Sequence, residues 1–337
     1  MRKALRLFGL PMAVAALLLT PLSPVHAAAA KSVHEQELKA SPDGFWTPER
    51  IRRAEANPLD SMMARKVAGP AAAKPVPPVT KAKVVTAHGK APAKMIGRLY
   101  AFQEGSDQYA TCSATVIASG FKGKGKGNQS VVLTAAHCVY NPENGWNPDY
   151  IVFNPDTDKG STPKGLWGGW RISYYNRWRT QADSTADYAF IVMAKHSSGP
   201  IQKATGGQSL GYSYKKRDWW AREFGYAAVH NPGDQAYADD GSRLRMCKGH
   251  TKQRKVGGQK FLALKCDLSH GASGGPIIVS QKANGYGKVI SVVSFFLKKW
   301  DGYLYSPIFD RHTRDLFLKM RKYNPPTWNL EGVELPN

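Results

Sequence analysis

The sequence predicts an all-β domain that closes on a C-terminal α-helix. Three observations lead there. Short apolar runs of strand length recur along the chain, separated by clusters of Gly, Asn, Pro and Asp. The 337 residues include 32 Gly and 22 Pro, a turn-rich composition that argues against a helical bundle or a coiled coil. One convincing helix signal occurs, near the C-terminus. With 42% hydrophobic and 11% aromatic residues the chain is globular, and it is long enough to bury a core without a structural metal.

The elements follow in order. Residues 1–27 read as a signal peptide: Arg2, Lys3 and Arg6 start it, Leu7 to Leu19 is apolar but short for a membrane span, and Val25-His26-Ala27 supplies a cleavage site. The protein is therefore expected to be secreted, with no membrane attachment once that segment is gone. Residues 28–92 read as a leader or pro-segment outside the core, or as a stalk that stays attached. Within it, Thr47 can cap a short helix with Pro48 at its first position. The Ala/Lys/Pro/Val-rich stretch to Pro92, with Val76-Pro77-Pro78, reads as an extended linker.

Strands are expected at Met95–Gln103, Thr111–Ile117, Ser130–Leu133, Tyr150–Asn154, Tyr188–Met193, Arg222–Tyr226, Phe261–Leu264, Pro276–Ser280 and Val289–Phe296. Phe121–Gly127 reads as a basic hairpin tip and lacks a P-loop arrangement. Asp310 can cap the last helix, on which Leu316, Phe317 and Met320 share one face, and Asn324-Pro325-Pro326 stops it. Residues 324–337 form a tail.

The formal net charge of +22 favours attraction to polyanions and says nothing about fold. The basic residues are scattered and form no known nucleic-acid module, so no dedicated nucleic-acid site is expected. Cys112, Cys138, Cys247 and Cys266 form an even set in an exported chain, which suggests two disulfides without choosing among three pairings. There is no C-x-x-C and no H-E-x-x-H, so neither a metal nor another cofactor is expected.

Three stretches carry chemistry: Thr134-Ala135-Ala136-His137-Cys138, Ala186-Asp187-Tyr188-Ala189-Phe190-Ile191 and Gly271-Ala272-Ser273-Gly274-Gly275-Pro276. A serine hydroxyl is a weak nucleophile that needs a base, and the base needs a third group to fix its tautomer. His137 can take and return a proton near neutral pH. Asp187 begins an apolar strand, where a carboxylate can be held partly buried, whereas the rival Asp183 lacks that strand directly after it. Ser273 sits among glycines that permit a tight turn, and the Gly271 and Ser273 amides would face a developing oxyanion. G-x-S-x-G also matches the α/β-hydrolase elbow, but that serine must lead into a helix, and Pro276-Ile277-Ile278-Val279 reads as a strand.

In this order, His, Asp, Ser, the stretches resemble the trypsin-like (chymotrypsin-fold) serine peptidases over residues 93–323. Cys112-Ser113-Ala114-Thr115 is similar to the family's strand whose Cys bridges to the one after the histidine. Phe45-Trp46-Thr47-Pro48-Glu49-Arg50 is similar to leaders of exported actinobacterial members. The resemblance implies two six-stranded antiparallel barrels with a C-terminal helix, and bridges Cys112–Cys138 and Cys247–Cys266, each worth ~3 kcal/mol in the loop-entropy model. It implies a triad of His137, Asp187 and Ser273 that hydrolyses peptide or protein substrates, in a monomeric enzyme without cofactor. Ala272 replaces the Asp that pairs with the new N-terminus in many animal members, so that switch should be absent. Asp267, six residues before Ser273, is either a pocket acid selecting Arg or Lys, or part of a differently shaped loop. His270 would rim the pocket. Ser294-Phe295-Phe296 resembles the substrate-pairing segment, with the Phe296 ring narrowing the pocket. The competing class is an inert protein of this fold that binds anionic cell-surface polymers.

Overall fold

A computed structural model describes residues 32–59, 80–120, 127–227, 241–297 and 300–330. The signal-peptide reading, most of the Phe121–Gly127 tip and the end of the tail lie outside the described residues. No helix among the described residues is long and apolar enough to cross a membrane.

The first half is a closed barrel. Its strands are β1 (Val33–Glu37), β2 (Lys83–Val84), β3 (Ile96–Gln103), β4 (Gln108–Ile117), β5 (Val131–Thr134), β6 (Tyr150–Pro155), β7 (Trp167–Tyr175) and β8 (Ala189–Met193), of which β2 crosses to the second half. The order β1-β7-β6-β3-β4-β5-β8, with β7 also paired to β8, closes a six-stranded ring and leaves β1 on the outside of β7. Leu99, Val116, Val132, Phe153, Ile172 and Ile191 share one face of these strands and fill its interior. Closure removes the free edges that an open sheet would leave.

The second half contains β9 (Ser209–Leu210), β10 (Trp220–Gly225), β11 (Arg245–His250), β12 (Lys252–Val256), β13 (Gln259–Lys265), β14 (Pro276–Val279), β15 (Lys288–Val292) and β16 (Tyr303–Ser306). Its hydrogen bonding differs in detail from a second six-stranded antiparallel barrel. It forms a six-stranded sheet, β2-β11-β10-β14-β15-β9, and a three-stranded sheet, β12-β13-β16, and β9 runs parallel to β15. The chain passes from one sheet to the other at Thr251, whose amide still donates to the Trp219 carbonyl in register with β10 and β11. Both disulfides expected from the resemblance are present, Cys112–Cys138 and Cys247–Cys266.

Among the described residues there are four α-helices: α1 (Pro48–Glu55), α2 (Asn176–Gln181), α3 (Ile201–Thr205) and α4 (Arg311–Met320). Thr47 Oγ1 accepts the Arg50 amide and starts α1 with Pro48 in its first turn. Asp310 and Thr313 form a reciprocal capping box on α4, whose buried face is Thr313, Leu316, Phe317 and Met320.

The described parts of residues 28–92 pack on the strands that follow; residues 60–79 lie outside the described residues. Strand β1 pairs along β7, and β2 pairs with β11. Trp46, Ile51 and Ala54 are buried against Tyr100, Phe102 and Tyr109 of the barrel. Arg98, itself buried, donates to Glu55 of α1 at 2.8 Å. The physical reason is amphipathicity: α1 has one apolar stripe, and the outer face of β3 and β4 is aromatic enough to cover it.

Candidate active site

His137 lies in a 3₁₀ turn, Ala136–Cys138, directly after β5. Asp187 follows the 3₁₀ turn Ser184–Ala186 and leads into β8, the neighbour of β5. Adjacent strands thus deliver both residues to one end of the barrel. The His137 Nδ1 lies 2.8 Å from Asp187 Oδ2, and the His137 amide donates to Asp187 Oδ1 at 2.9 Å. The Ser294 hydroxyl donates to Asp187 Oδ2 at 2.5 Å. Both His137 and Asp187 are buried. Burial alone works against ionisation of Asp187, but the facing His137, the Ser294 hydroxyl and the His137 amide together hold its carboxyl below the ordinary value. The other imidazole nitrogen, Nε2, makes no hydrogen bond among the described residues.

Ser273 comes from the second half. The turn before β14 is held by Ala272 N–H to Ser269 O and Gly275 N–H to Ala272 O, and Gly271 and Gly274 have φ of 89° and 81°. Two glycines are demanded by close approach as well. A Cβ on Gly274 would fall 2.1 Å from Thr134 Oγ1, and one on Gly275 would fall 1.9 Å from the Phe224 carbonyl. The Ser273 carbonyl accepts the Ser113 amide at 2.8 Å and lies 3.8 Å from Cys138 Sγ. Ser273 is therefore held against the disulfide that adjoins His137. Among the described residues, the Gly271 and Ser273 amides donate to no backbone carbonyl.

Beside Ser273 is a cavity of about 10 Å³, lined in part by His270, Val293, Ser294 and Phe296. That is roughly the room one water needs. The Phe296 ring forms part of the wall: it is 8% exposed, sits 5.2 Å from the His270 ring and packs in the apolar cluster of Val293 and Leu304. Asp267 does not line this cavity. Its Oδ1 accepts the Ala82 amide at 2.6 Å and its own amide donates to Thr80 O, so this acid faces the chain leading into β2. Of the two readings of Asp267, these contacts favour the differently shaped loop.

Asp183 and His312 have ordinary structural roles. Asp183 caps its own turn through Thr185 and accepts from Gln259. His312 lies in the first turn of α4, its amide bound to Asp310. Ser273 leads into a strand and not a helix, as expected.

Sequence reasoning missed Ser113. Its hydroxyl accepts the Tyr226 amide and donates to the Gly271 carbonyl, both at 2.8 Å, and ties the turn carrying Ser273 to β4. Its position after Cys112 was visible, but nothing local marks a buried serine as a cross-domain link. Ser294, in the segment that resembles a substrate-pairing strand, spends its hydroxyl on Asp187, 107 residues away.

No protein-family model matches the chain, and no curated protein matches it. Solved structures do. The protease Anisep from Arthrobacter nicotinovorans is 21% identical, with a TM-score of 0.58 over 70% of this chain and 99% of that one. A thermostable serine protease, AL20, from an extremophilic microorganism is 23% identical, with a TM-score of 0.59 over 69% and 99%. A Glu endopeptidase is 16% identical, with a TM-score of 0.56 over 74% and 99%. At these identities the likeness concerns architecture: mostly β, a closed six-stranded barrel and a C-terminal helix, so the chain has the chymotrypsin fold of bacterial serine proteases.

Proposed function

We propose that this protein is a secreted serine endopeptidase. The observation that carries the reading is the buried His137–Asp187 pair, braced by Ser294, with Ser273 held on a glycine turn beside the same disulfide. In the proposed reaction His137 Nε2 takes the Ser273 Oγ proton as the oxygen attacks the scissile carbonyl. Asp187 fixes the Nδ1–H tautomer and balances the imidazolium charge. The Gly271 and Ser273 amides receive the oxyanion, each such donor typically worth ~2.7–4 kcal/mol in the transition state. His137 returns the proton to the leaving amine, and water repeats the sequence on the acyl-enzyme.

Phe296 sets the substrate class at the bond cleaved. A residual cavity of about 10 Å³ admits Gly, Ala or Ser before the scissile bond and excludes a long basic side chain. Secretion is part of the proposal, supported by residues 1–27 and the two disulfides.

A fluorophosphonate probe tests the central claim. Wild-type protein is expected to be labelled, and Ser273→Ala protein is not. Folded wild-type protein that takes no label would sink the peptidase reading and leave the inert polymer-binding class.

A further inference from the structure

The segment 245–265 crosses β11, β12 and β13 with Arg245, Lys248, Lys252, Arg254, Lys255, Lys260 and Lys265 and not one acidic residue. Two arrangements in it run against sheet stability. Arg222 on β10 is the direct cross-strand partner of Lys248, and Lys255 is the partner of Lys260. Like charges placed opposite one another destabilise a sheet. Among the described residues, none of Arg222, Lys248, Lys252, Lys255, Lys260 and Lys265 has a carboxylate within ion-pair distance, whereas His250 pairs with Asp218 and Arg254 with Asp301.

Two further features lie beside the Arg222–Lys248 pair. Trp220, the cross-strand partner of His250, is 53% exposed, and its ring lies 5.2 Å from the imidazole. Next to it, His250, Lys252, Lys265 and Tyr303, with Leu264 and Gly249, line a cavity of about 250 Å³. That approaches the lower end of small-ligand pockets, about 300 Å³. Its lining pairs an apolar side with cationic groups.

We propose that this face is a docking surface for an acidic polysaccharide. Trp220 stacks on a sugar ring, and the cavity takes a carboxylate-bearing unit between Lys252 and Lys265. The polymer's negative charge relieves the Arg222–Lys248 pair that the free protein carries beside Trp220. A single-stranded nucleic acid fits less well, because such sites stack successive bases on several aromatic rings. Trp220 is the one large hydrophobic residue of this face that is exposed among the described residues.

The test uses the full chain in the Ser273→Ala background, so its result does not depend on the peptidase reading. Binding is measured by calorimetry against polygalacturonate, dextran, poly-glutamate and oligo-dT. Polygalacturonate is expected to bind, with affinity falling as NaCl rises, and dextran is not. Trp220→Ala and the pair Lys252→Glu, Lys265→Glu should each weaken binding at least tenfold. The charge-matched pair Lys282→Glu, Lys322→Glu, exposed elsewhere on the surface, should leave it within twofold. Near-UV circular dichroism shows that each variant is folded. Equal loss in both charge pairs, no loss in Trp220→Ala, or equally tight binding of poly-glutamate or oligo-dT would each overturn the proposal.

Discussion

The Ser113 hydroxyl donates to the Gly271 carbonyl at 2.8 Å, across 158 residues of sequence. It also accepts the Tyr226 amide, so one small side chain in the first barrel satisfies two backbone groups of the second half. Ser113→Ala strands both groups in a buried place and should cost about 1–3 kcal/mol. The turn that carries Ser273 and the Gly271 amide would loosen with it. The expected result is a lower urea midpoint together with slower fluorophosphonate labelling, in protein that still folds. Labelling at the wild-type rate would show that Ser113 is structural only.

Glu223 on β10 is buried, and neither carboxylate oxygen has a hydrogen-bond partner among the described residues. Burial pushes its carboxyl up to about 8, against an ordinary value of 4.5. The folded state therefore binds this proton more tightly than the unfolded chain does. The stability linked to the neutral acid is fully present below pH 4.5 and is lost as pH rises toward and through 8. The slope from this one group is up to about 1.4 kcal/mol per pH unit in that window. Denaturant midpoints measured from pH 5 to 8 should fall in wild type. In Glu223→Gln, which cannot ionise, the fall should be much shallower; parallel curves for the two proteins would contradict it.

The contact between Glu55 and Arg98 makes the leader part of the folded domain. Arg98 is buried, and Glu55 Oε1 also accepts the Tyr100 hydroxyl at 3.0 Å. Breaking a buried pair from one side typically costs about 3–5 kcal/mol. Glu55→Ala should fall at the lower end, because Arg98 keeps its bond to the Gly241 carbonyl. A chain starting at residue 93 loses this carboxylate, β1 and the cover over Tyr100 and Phe102 at once. It should unfold at lower temperature than a chain starting at residue 32, as calorimetry would read. Equal melting temperatures would mean that the leader is dispensable.

Phe296 lines the cavity beside Ser273, so enlarging that cavity should change which bonds are cut. Wild type is expected to cleave peptide libraries after Gly, Ala or Ser. Phe296→Ala should accept larger apolar residues, at a cost in stability of about 3–5 kcal/mol from the void it leaves. Efficient cleavage by wild type after Phe, Arg or Lys would refute the argument from cavity size.

Much of this molecule is readable in one dimension. Every strand expected from an apolar run is present, within a few residues. Four of the strands that escaped notice have local reasons. Strand β7 is interrupted by Gly168 and Gly169, β12 is mostly basic, β11 carries Arg245, Lys248 and Gly249 among its six residues, and β1 lies in a stretch without strand-length apolar character. Their strand character comes from the neighbours they pair with, because β-propensity is largely a matter of context.

His137, Asp187 and Ser273 stand out in the sequence because each lies in a short stretch whose residue types the proposed chemistry constrains: a base, an acid before an apolar strand, a nucleophile among glycines. The caps of α1 and α4 are equally legible, since a cap is a contact between residues two or three apart. What the tertiary structure alone decided are contacts across long loops: Ser294 on Asp187, Ser113 on Gly271, Ala82 on Asp267 and Glu55 on Arg98. Local pattern reflects the geometry of a few bonds along the chain. Which carboxylate meets which donor depends on how two halves and a leader pack, and that information is spread over the whole chain.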